Sequence, residues 1–108
     1  MASPPGAREV ARAAAGGARL LEHRARLTIC VLLARRDALS FSRLKELTGE
    51  TDGSLGAHLR RLEENGYVTV RKEFQDRKPV SWYALTADGR RALDEHVQAL
   101  ERLLAGLV

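Results

Sequence analysis

The stretch from Phe41 to Leu85 constrains the fold of this chain more than any other, because its apolar spacing changes from helical to strand-like with only short turns between. Near its centre, three leucines spaced i, i+4 and i+7 share one face of a helix, namely Leu55, Leu59 and Leu62. The opposite face of that helix is small and basic, and it carries Gly53, Ser54, Ala57, Arg60 and Arg61. Such a face favours a helix that lies close against an anionic partner.

Capping residues define the two helices on this stretch. We expect Ser42 to cap a helix over residues 43–48, and Gly49 with Glu50 to form the turn that follows it. Thr51 then caps the helix that contains the three leucines, and Gly66 ends it. The sequence therefore predicts two short helices joined by a tight turn.

Strand patterns flank these helices. Over residues 67–74 valines alternate with polar side chains, which predicts a strand with one solvated face. Residues 75–79 are polar and contain a proline, so we predict a turn there and a return strand over residues 80–85. A very short strand is predicted over residues 38–41. The whole is predicted as mainly α with a small β-hairpin, an α+β fold.

The first helix is predicted over residues 18–36. Its inward stripe is predicted as Leu20, Leu27, Val31 and Ala34, widened by Leu21, Cys30 and Leu33. Cys30 is interpreted as a small buried core residue, since free cysteine is commonly buried. A redox-sensing thiol is the alternative, and it requires exposure and a lowered pKa.

The last helix is predicted over residues 87–105 with Thr86 as its cap. It spans about 28 Å at 1.5 Å per residue, which is more than one face of a small domain needs. Either it covers the core of its own domain, or its apolar seam pairs with a second copy of the chain. We favour the pairing, with the seam formed by Leu93, Val97, Leu100, Leu104 and Leu107.

The chain is therefore divided into a flexible basic N-terminal arm over residues 1–17, a domain over residues 18–86 and a dimerisation helix over residues 87–108. The arm is Pro/Gly-rich at its start, and it is either frayed or in contact with an anionic surface or a partner subunit. Residues 1–36 carry seven Arg and two Glu, whereas residues 51–86 carry six basic and five acidic residues. A prediction of nucleic-acid binding must therefore rest on where the basic residues lie in the fold and not on the net charge of +4.

Composition excludes several classes of protein. One cysteine in 108 residues excludes an intrachain disulfide framework, so we expect a cytoplasmic setting. No apolar run is long enough to span a membrane, and no secretory signal is recognised. His23, His58 and His96 are scattered along the chain, so we expect no metal site, and we expect no cofactor. No catalytic motif or phosphate-binding glycine loop is recognised, so we do not expect an enzyme.

With this order of elements, the chain resembles the winged helix-turn-helix transcriptional regulators of the MarR/ArsR/PadR superfamily, in particular the short, stand-alone group. The resemblance covers residues 20–104 and rests on Arg26-Leu27, Leu32-Leu33, Leu39-Ser-Phe-Ser-Arg-Leu44, Thr51 to Val68, Arg71-Lys-Glu-Phe74, Arg77-Lys-Pro79, Trp82-Tyr83 and Leu85-Thr-Ala-Asp-Gly-Arg90. It implies a homodimer, formed through the terminal helices, that binds pseudo-palindromic double-stranded operator DNA. Similar regulators often have a proline shortly before the Arg-Leu pair, where this chain has Arg24-Ala25. We therefore expect the first helix to start earlier and run straighter.

In a helix-turn-helix, the second helix enters the major groove and its N-terminal half reaches the base edges. The predicted DNA contacts are Thr51, Gly53, Ser54, Ala57, His58, Arg60 and Arg61 on that helix, Arg71 and Lys72 beside the hairpin turn, and Arg77 and Lys78 at its tip.

Several of these residues have a second interpretation. Gly53 and Gly56 allow either close approach of DNA or close packing against the preceding helix, unless they are simple drift. His58 is either a half-buried structural residue or a DNA contact. Arg60 and Arg61 either bind DNA or pair with Glu64 and other surface carboxylates.

The favoured function is a sequence-specific transcriptional regulator, most often a repressor in proteins of this kind. The alternative is a winged-helix module that binds another protein, such as an antirepressor or a subunit of a larger complex. The basic tip of the hairpin favours DNA. The sequence does not identify an effector.

Overall fold

The computed structural model describes residues 17–107, and it confirms the α+β fold. A 3-10 helix over Gly17–Glu22 leads into α1 (Arg24–Ala34), β1 (Leu39–Ser40), α2 (Phe41–Thr48), α3 (Asp52–Glu64), β2 (Val68–Gln75), β3 (Lys78–Leu85) and α4 (Ala87–Ala105). The three strands form one antiparallel sheet in the order β1-β3-β2. The predicted arm lies outside the described residues except for Gly17. Within the described part, no helix is long and apolar enough to cross a membrane.

The core lies between the helices and the inner face of the sheet. Its buried side chains come from every layer of the domain: Leu20, Leu21, Ile29, Cys30, Leu33, Leu39, Leu44, Leu55, Leu59, Leu62, Tyr67, Val68 and Leu93. The three leucines of α3 are buried as predicted. Cys30 is also fully buried, and burial raises the pKa of its thiol to about 12, which favours the structural interpretation of this residue.

The first helix differs from its prediction in two ways. It begins only at Arg24, because the backbone of His23 is extended and its ring Nδ1 accepts a hydrogen bond from the Ala25 N–H at 3.2 Å. The preceding 3-10 segment buries both Leu20 and Leu21, which a straight helix would place on different faces. The expectation of an earlier, straighter helix was therefore wrong.

The inward stripe of α1 was predicted correctly only in part. Cys30 and Leu33 are buried and Leu27 and Ala34 pack against the core as predicted, whereas Val31 is exposed on the opposite side. Ala25 and Ile29, which were not predicted, are also buried. The helix is apolar on most of its circumference, so the spacing of its apolar residues did not define one face.

Caps at the helix-turn-helix are mostly as predicted. Thr51 caps α3 by accepting from the Ser54 N–H at 3.2 Å, and Gly49 ends α2 with a positive φ of 72°. The N-cap of α2 is Ser40, whose hydroxyl accepts from the Arg43 N–H at 3.1 Å. The prediction of Ser42 was wrong because the helix starts at Phe41, directly after β1.

A tight joint connects the end of α3 to the start of α4. The Thr86 hydroxyl donates to the Gly66 carbonyl oxygen at 2.6 Å and accepts from the Gly89 N–H at 2.9 Å, while the Thr86 N–H donates to the Tyr67 carbonyl oxygen at 3.0 Å. Gly89 is buried against this backbone, and a Cβ atom there would collide with the Tyr67 carbonyl oxygen. The last helix is therefore fixed to the domain by its first turn.

Candidate nucleic-acid interface

The outward side of α3, which we call the recognition face, lies opposite its three buried leucines. The face is exposed and consists of Gly53, Ala57, Arg60, Arg61 and Glu64. Asp52 begins the helix and its carboxylate lies 3.0 Å from the Lys45 ammonium of α2, so this acidic group is partly neutralised. The face is small at its N-terminal half and basic further along, as predicted.

The glycines of α3 do not serve packing within the described chain. An ideal Cβ built on Gly53 or Gly56 meets no atom within 4 Å. Close packing against α2 therefore does not account for either glycine. Close approach of the helix backbone to DNA and simple drift are the two explanations that remain.

The two arginines of the recognition face are not held by acidic groups. Among residues 17–107, neither Arg60 nor Arg61 has a carboxylate oxygen within 4.0 Å, although Glu64 follows both on the same helix. The interpretation in which they pair with Glu64 is not supported by this geometry. Both guanidinium groups are available to an anionic ligand.

Ser54 and Thr51 are more engaged than their positions in the sequence suggest. The Ser54 hydroxyl donates to the Glu50 carboxylate at 2.7 Å and is partly buried, and the Thr51 hydroxyl accepts the capping hydrogen bond. Each hydroxyl oxygen keeps a lone pair for a further donor. Glu50 was predicted only as part of the turn. Its carboxylate is an acceptor at the N-terminal end of the recognition face, and because Glu50 lies in the turn before the helix, no helical spacing in the sequence predicted this contact.

His58 belongs to a polar cluster between α3 and the start of α1. Its Nδ1 lies 3.3 Å from a guanidinium nitrogen of Arg26, and its ring centroid lies 4.5 Å from that of His23. Arg26 also donates through Nε to the Leu20 carbonyl oxygen at 2.7 Å. Burial, and then the charges of His23 and Arg26, lower the pKa of His58 below 6.5. These contacts favour the structural interpretation of His58.

The hairpin of β2 and β3, which we call the wing, is longer than predicted. Its strands continue to Gln75 and from Lys78, so the turn consists only of Asp76 and Arg77. Both turn residues have positive φ, 50° and 67° respectively. Lys78 is therefore the first residue of β3 and not part of the turn, because a two-residue turn with positive φ matches the twist of the strands.

The basic groups of the wing differ in their surroundings. Arg71 lies 3.5 Å from the Glu73 carboxylate in an exposed ion pair, so part of its charge is screened. Within the described chain, no ion pair forms between a carboxylate and Lys72, Arg77 or Lys78. The tip of the wing thus carries free cations. Phe74, which was predicted as an ordinary strand residue, is exposed beside them.

The C-terminal part of α4 leaves the body of the domain and exposes an apolar stripe. Its exposed apolar residues are Val97, Leu100, Leu103 and Leu104, and Leu107 continues the stripe just after the helix ends at Ala105. Leu93, predicted to belong to the dimer seam, is instead buried in the core of its own domain, because the first half of α4 packs against α1. Val31 of α1 lines the same groove as Val97 and extends the apolar surface.

Comparison with known proteins decides the family. The model of the family described as "Winged helix DNA-binding domain" matches residues 25–104. The chain belongs to this family. The resemblance drawn from the sequence is thereby confirmed, as is the winged-helix architecture with a DNA-binding role.

Relatives of this winged-helix protein agree with that assignment. An uncharacterized protein of Methanocaldococcus jannaschii is 32% identical over 78 residues, which cover 72% of this chain and 85% of that protein. The structure of a transcriptional regulator homologue from Pyrococcus horikoshii is 30% identical, has a TM-score of 0.77, and is matched over 82% of this chain and 88% of that one.

The fold is also shared with a protein that was solved on DNA. Bacillus subtilis PadR in complex with operator DNA matches with a TM-score of 0.60 and 23% identity. The match covers 67% of this winged-helix chain and 46% of PadR. At this level of identity the likeness concerns the fold alone.

Proposed function

We propose that this protein is a transcriptional repressor that acts in the cytoplasm and binds pseudo-palindromic operator DNA as a homodimer. The observation that carries the proposal is the open recognition face of α3. It combines a small N-terminal half, with no atom above Gly53, and two arginines that no carboxylate holds among the described residues.

In this proposal α3 enters the major groove with its N-terminal half toward the base edges. The absence of a side chain at Gly53 and the single methyl group of Ala57 allow the helix backbone to approach the bases closely. Arg60 and Arg61 lie further along the helix, where a guanidinium binds either guanine or phosphate in a bidentate manner. Further contacts come from side chains that already make hydrogen bonds within the protein. The hydroxyl oxygens of Thr51 and Ser54 each keep a lone pair, and His58, at the edge of the face, keeps one ring nitrogen.

The wing contacts the DNA beside the recognition helix. Arg77 and Lys78 sit at its exposed end and are proposed to bind the adjacent minor groove or its phosphates. Arg71 and Lys72 are closer to the body of the domain and suit phosphate contacts. The phosphate contacts fix the orientation of the protein, and the recognition face reads the sequence.

A homodimer is supported by the apolar stripe of α4. Leu100, Leu104 and Leu107 project beyond the core that they could have covered, and Val97 with Val31 continues the stripe toward the domain. Exposed apolar surface of this extent typically marks an interaction site. Two-fold pairing of the stripe places the two recognition helices on half-sites about one helical turn of DNA apart.

The names of similar proteins support regulation of transcription. The Pyrococcus horikoshii protein is called a transcriptional regulator homologue, and PadR was solved with operator DNA. We carry regulation and operator binding from them to this chain as part of the proposal.

The decisive experiment is a selection of genomic DNA fragments by the purified protein, read by sequencing, at near-physiological salt and with competitor DNA. Enrichment of one inverted-repeat motif is the expected result, because a two-fold dimer reads the same half-site twice. Cooperative unfolding of the purified protein shows that the sample is folded. If such a sample enriches no motif, the proposal is wrong, and the alternative function, a winged-helix module that binds another protein, is favoured. Transcription in vitro from a promoter that contains the motif then distinguishes repression from activation.

The wing is tested by the double substitution Arg77→Ala, Lys78→Ala. We expect the variant to bind all duplexes more weakly. The slope of log K against log salt concentration should also become shallower, by about 0.9 for each phosphate that the variant no longer neutralises. Unchanged affinity for nonspecific duplex would remove the wing from the proposed mode of binding.

A further inference from the structure

The wing carries an apolar pair as well as its cations. Phe74 of β2 lies directly opposite Pro79 of β3, one residue pair inside the two-residue turn. The Phe74 side chain is 78% exposed. A phenylalanine side chain stabilises a fold through burial, so Phe74 contributes little to folding in this exposed position.

No other part of the described chain covers this pair. Every residue from Arg71 to Pro79 is exposed, and at about 3.3 Å per residue Phe74 lies about 13 Å beyond Val70, which is partly buried where the wing leaves the domain. The pair therefore stands on a projection from the protein and not in a groove of it.

The surroundings of the pair are cationic. Alternation along the strands places Lys72 on the same face as Phe74, and Arg77 and Lys78 follow at the turn. None of these three cations is paired with a carboxylate among residues 17–107. A partner that fits must present negative charge around a less polar interior, and double-stranded DNA does so, with phosphates on the rims of a groove and sugars and base edges within.

We propose that Phe74, supported by Pro79, is an apolar wedge that enters the minor groove beside the site of the recognition helix and partially opens a base step. The cations around it hold the flanking phosphates. Aromatic and other apolar side chains inserted in this way unstack a step and bend the duplex toward the major groove. Bases differ in the free energy of unstacking, so the wedge adds sequence preference at positions that the recognition face does not touch. This inference rests on the proposed function, because it assumes that the wing contacts DNA.

The experiment compares the wild-type protein with Phe74→Ala, Phe74→Leu and Arg77→Ala on an A·T-rich duplex labelled at both ends. Anisotropy gives affinity over a range of salt concentrations, and energy transfer between the labels gives the bend. Phe74→Leu keeps an apolar wedge, and Arg77→Ala removes only a charge, so the two serve as matched controls.

We expect Phe74→Ala to weaken binding by about tenfold at every salt concentration, since it removes an aromatic contact with the bases and no charge. For Phe74→Ala, the slope of affinity against salt concentration should stay as in the wild type, and the bend of the bound duplex should decrease. Phe74→Leu retains most of the affinity and bend. Arg77→Ala instead lowers the slope. Thermal unfolding of Phe74→Ala is expected to match the wild type, because the side chain is exposed.

Two results overturn the inference and leave the proposed function standing. One is a Phe74→Ala protein that binds and bends the duplex as the wild type does. The other is a Phe74→Ala protein whose dimer dissociates in sedimentation, which assigns Phe74 to a second copy of the chain. A wild-type protein that binds no duplex overturns both proposals together.

Discussion

At the scale of single residues, Arg77 has a backbone conformation that costs free energy. Its φ of 67° belongs to the left-handed region, where a side chain costs roughly 1–2 kcal/mol and where two-residue hairpin turns favour glycine. Asp76 tolerates this region better, because its short polar side chain can bond locally. An arginine in such a position is a reason to look for its contribution to function rather than to stability.

We therefore predict that Arg77→Gly makes the protein more stable and a weaker DNA binder. The free energy of unfolding should rise by about 0.5–1 kcal/mol in urea denaturation, since glycine adopts positive φ without strain. Affinity for duplex should fall because glycine offers no cation to a phosphate. The matched control is Arg77→Ala, which should bind DNA as weakly without the gain in stability. A less stable Arg77→Gly protein would contradict the account of strain.

His58 predicts a dependence of stability on pH. Burial and the neighbouring His23, Arg26 and Arg61 lower its pKa in the folded protein, while Glu50 raises it in part, and the net shift is downward from 6.5. The unfolded chain therefore binds a proton more readily than the folded one. The contribution of His58 to the free energy of unfolding is fully present above about pH 6.5. It is lost as the pH falls through the lower pKa that His58 has in the folded state.

The measurement is urea denaturation between about pH 7 and pH 5, the range in which a histidine titrates. Stability of the wild type should decline toward the acidic end. His58→Gln keeps an acceptor for Arg26 but does not titrate, and its decline should be smaller. Equal declines in the two proteins would show that other groups cause the pH dependence.

Residues whose function is local were predictable from the sequence. Thr51, Thr86 and Gly49 act on backbone groups within a few residues, so the pattern around each one specifies its role. Contacts between elements were not. The contact of His58 with Arg26 depends on how α3 packs against α1, and the bond from Ser54 to Glu50 depends on the conformation of the turn before α3.

At the scale of elements, the glycines of α3 and α4 have opposite surroundings. Open space lies above Gly53 in α3, whereas Gly89 in the first turn of α4 is buried against the Tyr67 backbone. Replacement of glycine by alanine should therefore have opposite effects on the free energy of unfolding at these two positions.

We predict that Gly53→Ala stabilises the protein by up to about 1 kcal/mol through helix propensity, and that Gly89→Ala destabilises it by more than about 2 kcal/mol through overpacking. Chemical denaturation of both variants measures the contrast. Gly53→Ala should also weaken DNA binding if the backbone of α3 approaches the bases. A Gly53→Ala protein with full affinity would leave drift as the reason for that glycine.

The prediction of elements succeeded where an apolar stripe is narrow and caps are present. The bounds of α4 were predicted correctly, with Thr86 and the last turn both in place. The inward face of α1 was predicted only in part, because apolar side chains lie on most sides of this helix and several elements pack on it. The wing was predicted too short, since Lys78 and Pro79 are residues that favour turns and here begin a strand.

At the scale of the whole molecule, the two halves of α4 have different surroundings. Leu93 closes the core of the domain, and Leu100 lies beyond that core with a third of its surface exposed. The sequence shows one continuous seam through both residues, because a helical period does not reveal where a domain ends. Only the three-dimensional arrangement distinguishes the core part of the helix from the part proposed to form the dimer.

We predict that Leu100→Glu yields a folded monomer that binds inverted-repeat DNA weakly. A carboxylate on the apolar stripe would be buried without a partner in the dimer, whereas in the monomer it is solvated. Sedimentation equilibrium measures the mass, and anisotropy measures binding to the operator.

The matched control for this prediction is Ala99→Glu, which adds the same charge to an exposed position about 100° around α4 from Leu100, off the line of Leu93, Val97 and Leu104. It should remain dimeric. By contrast, Leu93→Ala should lower the free energy of unfolding by about 2–5 kcal/mol, as expected for a buried leucine. A dimeric Leu100→Glu protein would show that the two copies meet elsewhere.

The joint at Thr86 has a consequence for the operators that the proposed dimer can use. Thr86 donates hydrogen bonds to the carbonyl oxygens of Gly66 and Tyr67 and accepts one from the Gly89 N–H, and these bonds hold the start of α4 against the end of α3. Gly89 is packed against the Tyr67 backbone and leaves no space for this joint to shift. In a dimer built on α4, the distance between the two recognition helices is then a fixed length of the protein. Such a protein selects operators by the number of base pairs between half-sites as strictly as by the bases themselves. Insertion of half a helical turn between the half-sites should abolish binding even though both half-sites are intact.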